Sequence, residues 1–216
     1  MIIKALSSKN VAFGSGSSSA RNSDFFLSSV DYSFVGRVQG ASVTKLVTAI
    51  SDTYVVAAKH YKVVVGDVIA FVNKLNEAVY VKVARIVRAT GDVQVVEVDQ
   101  SLSSLGISYA EVTEINPGII SQFLNKLGLF RKQAVAFGVN LATNEVTAAN
   151  ATVYSLVRAN PANIANFRQG TDGVTLQPGD SGAPDFILEN GKLKLVGVHS
   201  AINAAAWITS SAYWAV

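Results

Sequence analysis

The sequence predicts an all-β protein of two consecutive β units, each a sandwich or a barrel, joined by a linker. Three observations predict it. Valine fills about one position in seven of the chain, and β-branched side chains fit the half-buried surface of a sheet. The apolar runs are short, roughly four to ten residues, and Gly, Asn and Asp fall between them where long helical patterns would otherwise run. One stretch, 100–130, breaks this texture and separates an earlier set of runs from a later one.

Taken in order, residues 1–29 are Ser-rich around Gly14–Ser19, and part of this segment reads as loop. The first β unit spans 30–105, with strands expected at Thr53–Ala58, Lys62–Val65, Val68–Val72, Ala78–Val87 and Val93–Val98. Alternation through Val79–Arg85 places Lys82 outside and its valine neighbours inside. Residues 106–131 read as the connection: Asn116-Pro117-Gly118 is a turn signal, and Ile119–Leu129 carries the pattern of a short helix. The second unit, 132–216, resumes strand patterns at Gln133–Val139, Glu145–Val157, Lys192–His199 and Ala204–Ile208. No sequence repeat of the solenoid or propeller kind is present.

Composition removes several classes. With no cysteine, a disulfide scaffold, a Cys-ligated zinc site and a cysteine nucleophile are excluded. A hydrophobic share of 50% against 15% charged residues is incompatible with wholesale disorder. The net charge of +3 is a weak field without any run of like charges to concentrate it. Lys126, Arg131, Lys132, Arg158 and Arg168 therefore read as solvated surface charge, and nucleic acid is not an expected partner. The stretch from Met1 to Asn10 is too short in apolar residues for a signal peptide. No run approaches the roughly 18–20 apolar residues of a membrane-spanning helix. An intracellular protein, in a host cytoplasm if viral or phage, is the expectation.

The most informative stretch is Gln177-Pro-Gly-Asp-Ser-Gly-Ala-Pro184. This stretch resembles the Gly-Asp-Ser-Gly-Gly-Pro signature of chymotrypsin-like serine proteases, with Ala183 in place of the second glycine. Tyr54-Val-Val-Ala-Ala-Lys-His60 resembles that family's strand ending in Thr-Ala-Ala-His-Cys, with Lys59 for a small residue and Tyr61 for the cysteine. Gly91-Asp92, followed by the alternating Val93–Val98, resembles the family's orienting acid. Asp67 lies only seven residues after His60, too close for one short turn to leave the histidine and return, and Asp99 falls at the far end of the strand.

The resemblance implies two packed six-stranded antiparallel Greek-key barrels with the active site in the cleft between them. It implies a His60, Asp92 and Ser181 triad, an oxyanion hole from the N–H groups of Gly179 and Ser181, and hydrolysis of peptide bonds through an acyl-enzyme. It implies neither a metal nor an organic cofactor. The expected partner is a polypeptide substrate, with the chain's own precursor polyprotein among the candidates; oligomeric state is left open.

Leu193-Lys-Leu-Val-Gly-Val-His199-Ser-Ala-Ile-Asn203 resembles the strand that walls the specificity pocket. Histidine at this place is similar to glutamyl endopeptidases and viral main proteases, which implies that His199 binds Glu or Gln at P1. Thr175, with Thr171 as its alternative, would assist, and Ser200, Ala201 and Ile202 would pair with the substrate backbone. Two alternatives stay open: His199 as a satisfied core histidine, and the whole chain as a degenerate protease-fold module serving as a virion or phage structural or protein-binding domain. The chain has no Ile-Val-Gly-Gly start, so Asp180 is expected to face an arginine, a lysine or solvent.

Overall fold

The computed structural model describes residues 7–14, 20–41, 45–113, 127, 132–140, 142–157, 163–169, 180–203 and 208–213. Six strands form the first β unit: β2 (Val35–Val38), β3 (Lys45–Ala49), β4 (Tyr54–Ala58), β5 (Val68–Val72), β6 (Ala78–Thr90) and β7 (Val93–Val98), with β1 (Val11–Phe13) preceding them. They close into a barrel in the order β2-β3-β4-β7-β6-β5. Barrel closure leaves no open sheet edge, and the inward positions are filled by Val47, Val55, Val81, Val83, Val96, Ile69 and Phe71, all buried. Lys82 stands outside between two buried valines, as its alternation predicts.

The second unit holds β9 (Lys132–Asn140), β10 (Glu145–Val157), β11 (Asn163–Gln169), β12 (Pro184–Glu189), β13 (Lys192–Asn203) and β14 (Ile208–Tyr213). Antiparallel pairings run β9-β10-β11-β14-β13-β12, and β12 pairs back onto β9. These pairings close a second ring. Numbered within each unit, both rings have the order 1-2-3-6-5-4, so the two halves share one topology that has no trace in sequence repetition. Two further strands attach to the second ring. β1 pairs with the first half of β10, and β8 (Glu111–Val112) pairs with β13 in parallel, outside the otherwise antiparallel scheme.

Several expectations are corrected. Lys62–Val65 is not a strand, because Lys62 adopts a left-handed conformation (φ 47°) that ends a 3₁₀ turn, and Gly66 turns again at φ 91°. The Ser-rich segment, read in part as loop, also supplies β1 and the buried Phe25 and Leu27 of the core. Strands β2, β3, β11 and β12 go beyond the expected set. The proposed helix at Ile119–Leu129 lies outside the described residues apart from Leu127, as does most of Ala204–Ile208. Among the described residues, no helix is long and apolar enough to cross a membrane.

One apolar cluster runs through both barrels. A chain of aromatic rings links them: Phe34, just before β2, lies 5.3 Å from Phe186 on β12, which is 5.5 Å from Phe137 on β9. Edge-on and tilted ring pairs at these spacings add to the area they bury. The two barrels therefore meet on packed side chains.

Candidate active site

His60 sits in the 3₁₀ turn Lys59–Tyr61 that follows β4, and Asp92 sits in the tight turn between β6 and β7. Thirty-two residues separate them in the chain, and strand register removes that distance. In the β4–β7 ladder Ala58 lies opposite Val93. One step further, the Lys59 N–H donates to the Asp92 carbonyl at 2.9 Å. The next step brings the His60 N–H to Asp92 Oδ1 at 3.1 Å. The imidazole Nδ1 lies 2.7 Å from each carboxylate oxygen. With Nδ1 held on the acid, the donor on that side is Nδ1–H and Nε2 is left as the basic nitrogen. Lys59 points outward, exposed, so it does not occupy the space behind the histidine.

The rejected acids have other work. Asp67 Oδ2 accepts the Val64 N–H and closes a local turn. Asp99 Oδ1 accepts the Lys82 N–H across the β6–β7 pair.

Ser181 opens the turn before β12, contributed by the other barrel. Gly182 follows it at φ 81°, a conformation that favours glycine. A methyl on Gly182 would lie 3.1 Å from Ala58 N and 3.4 Å from the Leu46 carbonyl oxygen. A glycine at this position lets the Ser181 turn seat closely against β4, the strand that precedes the His60 turn. The Tyr61 side chain reaches Ser181, and burial raises the Tyr61 phenol above its usual range, with Asp180 adding to the rise, so it stays protonated. Its ring also lies 5.0 Å from that of His60. Among the described residues, no hydrogen bond joins Ser181 to His60. Catalytic hydrogen bonds are often long before substrate arrives.

Asp180 does not face solvent. It is buried, and Oδ1 accepts the Val139 N–H at 2.7 Å. His199 is buried too, with Nε2 3.1 Å from Oδ1 of the fully buried Asp185. Burial alone would lower the His199 pKa, but the Asp185 carboxylate beside it, helped by Asp180 and the Phe137 carbonyl, raises it instead. Asp185 is held above the usual carboxylate range by burial, with His199 pulling the other way.

The structure thus brings His60 and Asp92 together and sets the Ser181 turn against β4, which precedes His60. Gly179, Thr171 and Thr175 lie outside the described residues. Ser200, Ala201 and Ile202 belong to β13, on the side of Val198 where β12 no longer pairs. Sequence reasoning missed Asp185 and Tyr61. A lone acid inside the apolar run Ala183-Pro-Asp-Phe-Ile-Leu188 was the available signal for the first. Among the described residues, no cluster of three or more His, Asp or Glu is arranged to hold a metal.

No protein-family profile matches the chain, and no curated protein matches it. Solved structures do. The Rv3671c protease in its inactive form superposes with a TM-score of 0.56 at 18% identity, over 84% of this chain and 83% of that one. An inactive mutant of the M. tuberculosis H37Rv protein gives 0.57 at 16% identity, over 83% and 80%. The NS6 protease from murine norovirus 1 gives 0.53 at 15% identity, over 82% and 88%. The chain has the chymotrypsin-like protease fold. Within this protease fold, Ser181 belongs to the second barrel and the His60–Asp92 pair to the first, and the Ser181 turn lies against β4 of the first barrel.

Proposed function

We propose that the chain is a serine endopeptidase working through an acyl-enzyme. The observation that carries this reading is the His60–Asp92 pair, with Nδ1 at 2.7 Å from both carboxylate oxygens and the Ser181 turn packed against β4 just before His60. In this reading His60 Nε2 takes the Ser181 proton as Oγ attacks the peptide carbonyl carbon. Asp92 stabilises the imidazolium that forms, and the N–H groups of Gly179 and Ser181 receive the oxyanion. His60 then gives its proton to the leaving amine, and water attacks the ester with His60 again as base. Substrate would add as a strand along Ser200, Ala201 and Ile202, on the side of β13 away from β14, where among the described residues no strand pairs with them.

A preference for Glu or Gln at P1 is carried forward on the place of His199, whose backbone borders the Ser181 turn. The burial of its Nε2 against Asp185 favours the core-histidine alternative, with no direct contact to P1. A peptide library scanned at P1 decides between them. Thr175 would assist His199 if Glu or Gln is preferred.

A second reading has one observation in its favour. Ser181 is not hydrogen-bonded to His60 while Tyr61 reaches it, as in a protease-fold module used for binding. A fluorophosphonate probe separates the two. Labelling of the wild type, abolished in Ser181→Ala and reduced about 10⁴-fold in Asp92→Asn, is the enzyme's result. Equal labelling of wild type and Ser181→Ala sinks the reading.

A further inference from the structure

Three lysines gather at the end of β3 and β4 where the Ser181 turn packs on the first barrel. Lys59 and Lys62 bracket His60 and Tyr61, one opening the 3₁₀ turn and the other capping it, and both are exposed. Lys45 opens β3, one residue before the Leu46 carbonyl that adjoins Gly182. Its Nζ crosses to the His60 turn and donates to the Lys62 carbonyl at 3.2 Å. A surface lysine ordinarily carries its charge out into water. This one is half-buried and delivers its charge to the backbone of another lysine.

Among the described residues, none of the three lysines is paired with a carboxylate. The acids of this region are engaged elsewhere. Asp92 lies on the His60 ring and Asp67 accepts the Val64 N–H. Asp52, at the other end of the β3–β4 hairpin, accepts from Ser101 and Ser103. Lys62 also stands in the left-handed region at φ 47°. The other described non-glycine residues with positive φ are Asn76, Asn144 and Asn190, and asparagine tolerates that region through local hydrogen bonds. Lysine lacks them, so a strained residue is kept at the turn that carries His60. Strain persists at sites where a side chain has a task.

We propose that Lys45, Lys59 and Lys62 form a cationic rim that selects a substrate chain with aspartate or glutamate immediately after the cleaved bond. The proposal deepens the endopeptidase reading and rests on it. In that reading His60 returns its proton to the leaving amine, so the departing chain passes over the His60 turn. The acyl part lies instead along β13 in the second barrel. An acid just beyond the bond therefore meets the rim, and an acid before it does not. Each exposed charge pair is worth up to about fivefold in affinity, and salt screens it.

The test gives the full chain matched peptides that differ only in Glu or Gln directly after the cleaved bond, the bond being located first by mass spectrometry on a mixed peptide library. At low salt kcat/KM should favour Glu by about tenfold, and at about 1 M salt the two should approach equality. Lys59→Gln and Lys62→Gln each lower the ratio about two- to fivefold, and Lys62→Glu reverses it. Both peptides meet the same enzyme sample, so the ratio is unaffected by how much of a variant is folded. Lys62→Asn adds a second readout: it relieves the left-handed strain, so its urea midpoint does not fall while the ratio does. A ratio near one in the wild type, or one that the lysine substitutions leave unchanged, overturns the proposal and leaves the endopeptidase reading intact. Failure to cleave any peptide in the library overturns that reading itself, and the proposal with it.

Discussion

Replacing Gly182 by alanine tests how the two barrels are held in catalytic register. Two terms act on that variant. The left-handed φ of 81° costs a residue with a Cβ about 1–2 kcal/mol. The new methyl would also meet Ala58 N at 3.1 Å, Ala58 Cβ at 3.3 Å and the Leu46 carbonyl oxygen at 3.4 Å. None of these can swing aside, since two are backbone atoms of β4 and β3 and the third is a buried Cβ. Overpacking of this kind costs about 1–3 kcal/mol, so the total loss of stability is about 2–5 kcal/mol. Gly40 supplies the control: its φ is 70°, with nothing within 4 Å of an added methyl, so Gly40→Ala carries the strain without the collision. Urea unfolding of both variants gives the packing cost as their difference. Because the collision pushes Ser181 away from the His60 strand by a few tenths of an ångström, fluorophosphonate labelling of Gly182→Ala should also slow about tenfold, given that a 1 Å misplacement costs about a hundredfold. Equal stability losses in the two variants, or normal labelling in Gly182→Ala, would refute the argument.

Phe186→Ala removes the fully buried ring that touches Phe34 on one side and Phe137 on the other, and should cost about 3–5 kcal/mol in urea unfolding; a loss below about 1 kcal/mol would mean that the ring chain does not join the barrels. The buried pair also predicts how stability depends on pH. His199 is raised above its ordinary 6.5 and Asp185 above its ordinary 3.8, so for both groups the folded state binds protons more tightly than the unfolded state. The stability contributed by His199 is complete below 6.5 and is lost as pH rises through its raised value. The wild type measured against Asp185→Asn/His199→Gln should therefore lose relative stability with rising pH in urea unfolding, and a relative gain would contradict the assigned directions.

Much of the first barrel was legible because its strands are local. Val68–Val72 and Val93–Val98 have the expected bounds, and in the second barrel so does Glu145–Val157. Lys62–Val65 misled because three valines in a row read as strand, while the decisive feature was a backbone conformation at Lys62 that composition does not encode. Strand β11, Asn163–Gln169, holds two asparagines, an arginine and a glutamine among few apolar residues, and its place comes from pairing on both sides with β10 and β14. Tertiary pairing overrides weak local preference there. Of the candidate site, His60 and Asp92 were legible because each carries its local strand context. Asp185 was not, because the nearest partner of a buried acid is a non-local fact.

The sequence by itself determined the all-β class and the order of the candidate site residues along the chain. Short valine-rich runs, turn glycines and one Gly-Asp-Ser-Gly stretch are properties of neighbours in the chain. Tertiary structure alone decided the rest. The β4–β7 register closed thirty-two residues to a 2.7 Å contact. Closure of both rings produced one topology twice from dissimilar sequences, and the β12–β13 pairing placed Asp185 and His199 3.1 Å apart. The physical reason is the two-residue period of a strand. A one-residue change of register sends every side chain to the opposite face, and register is set by partners far away in the chain.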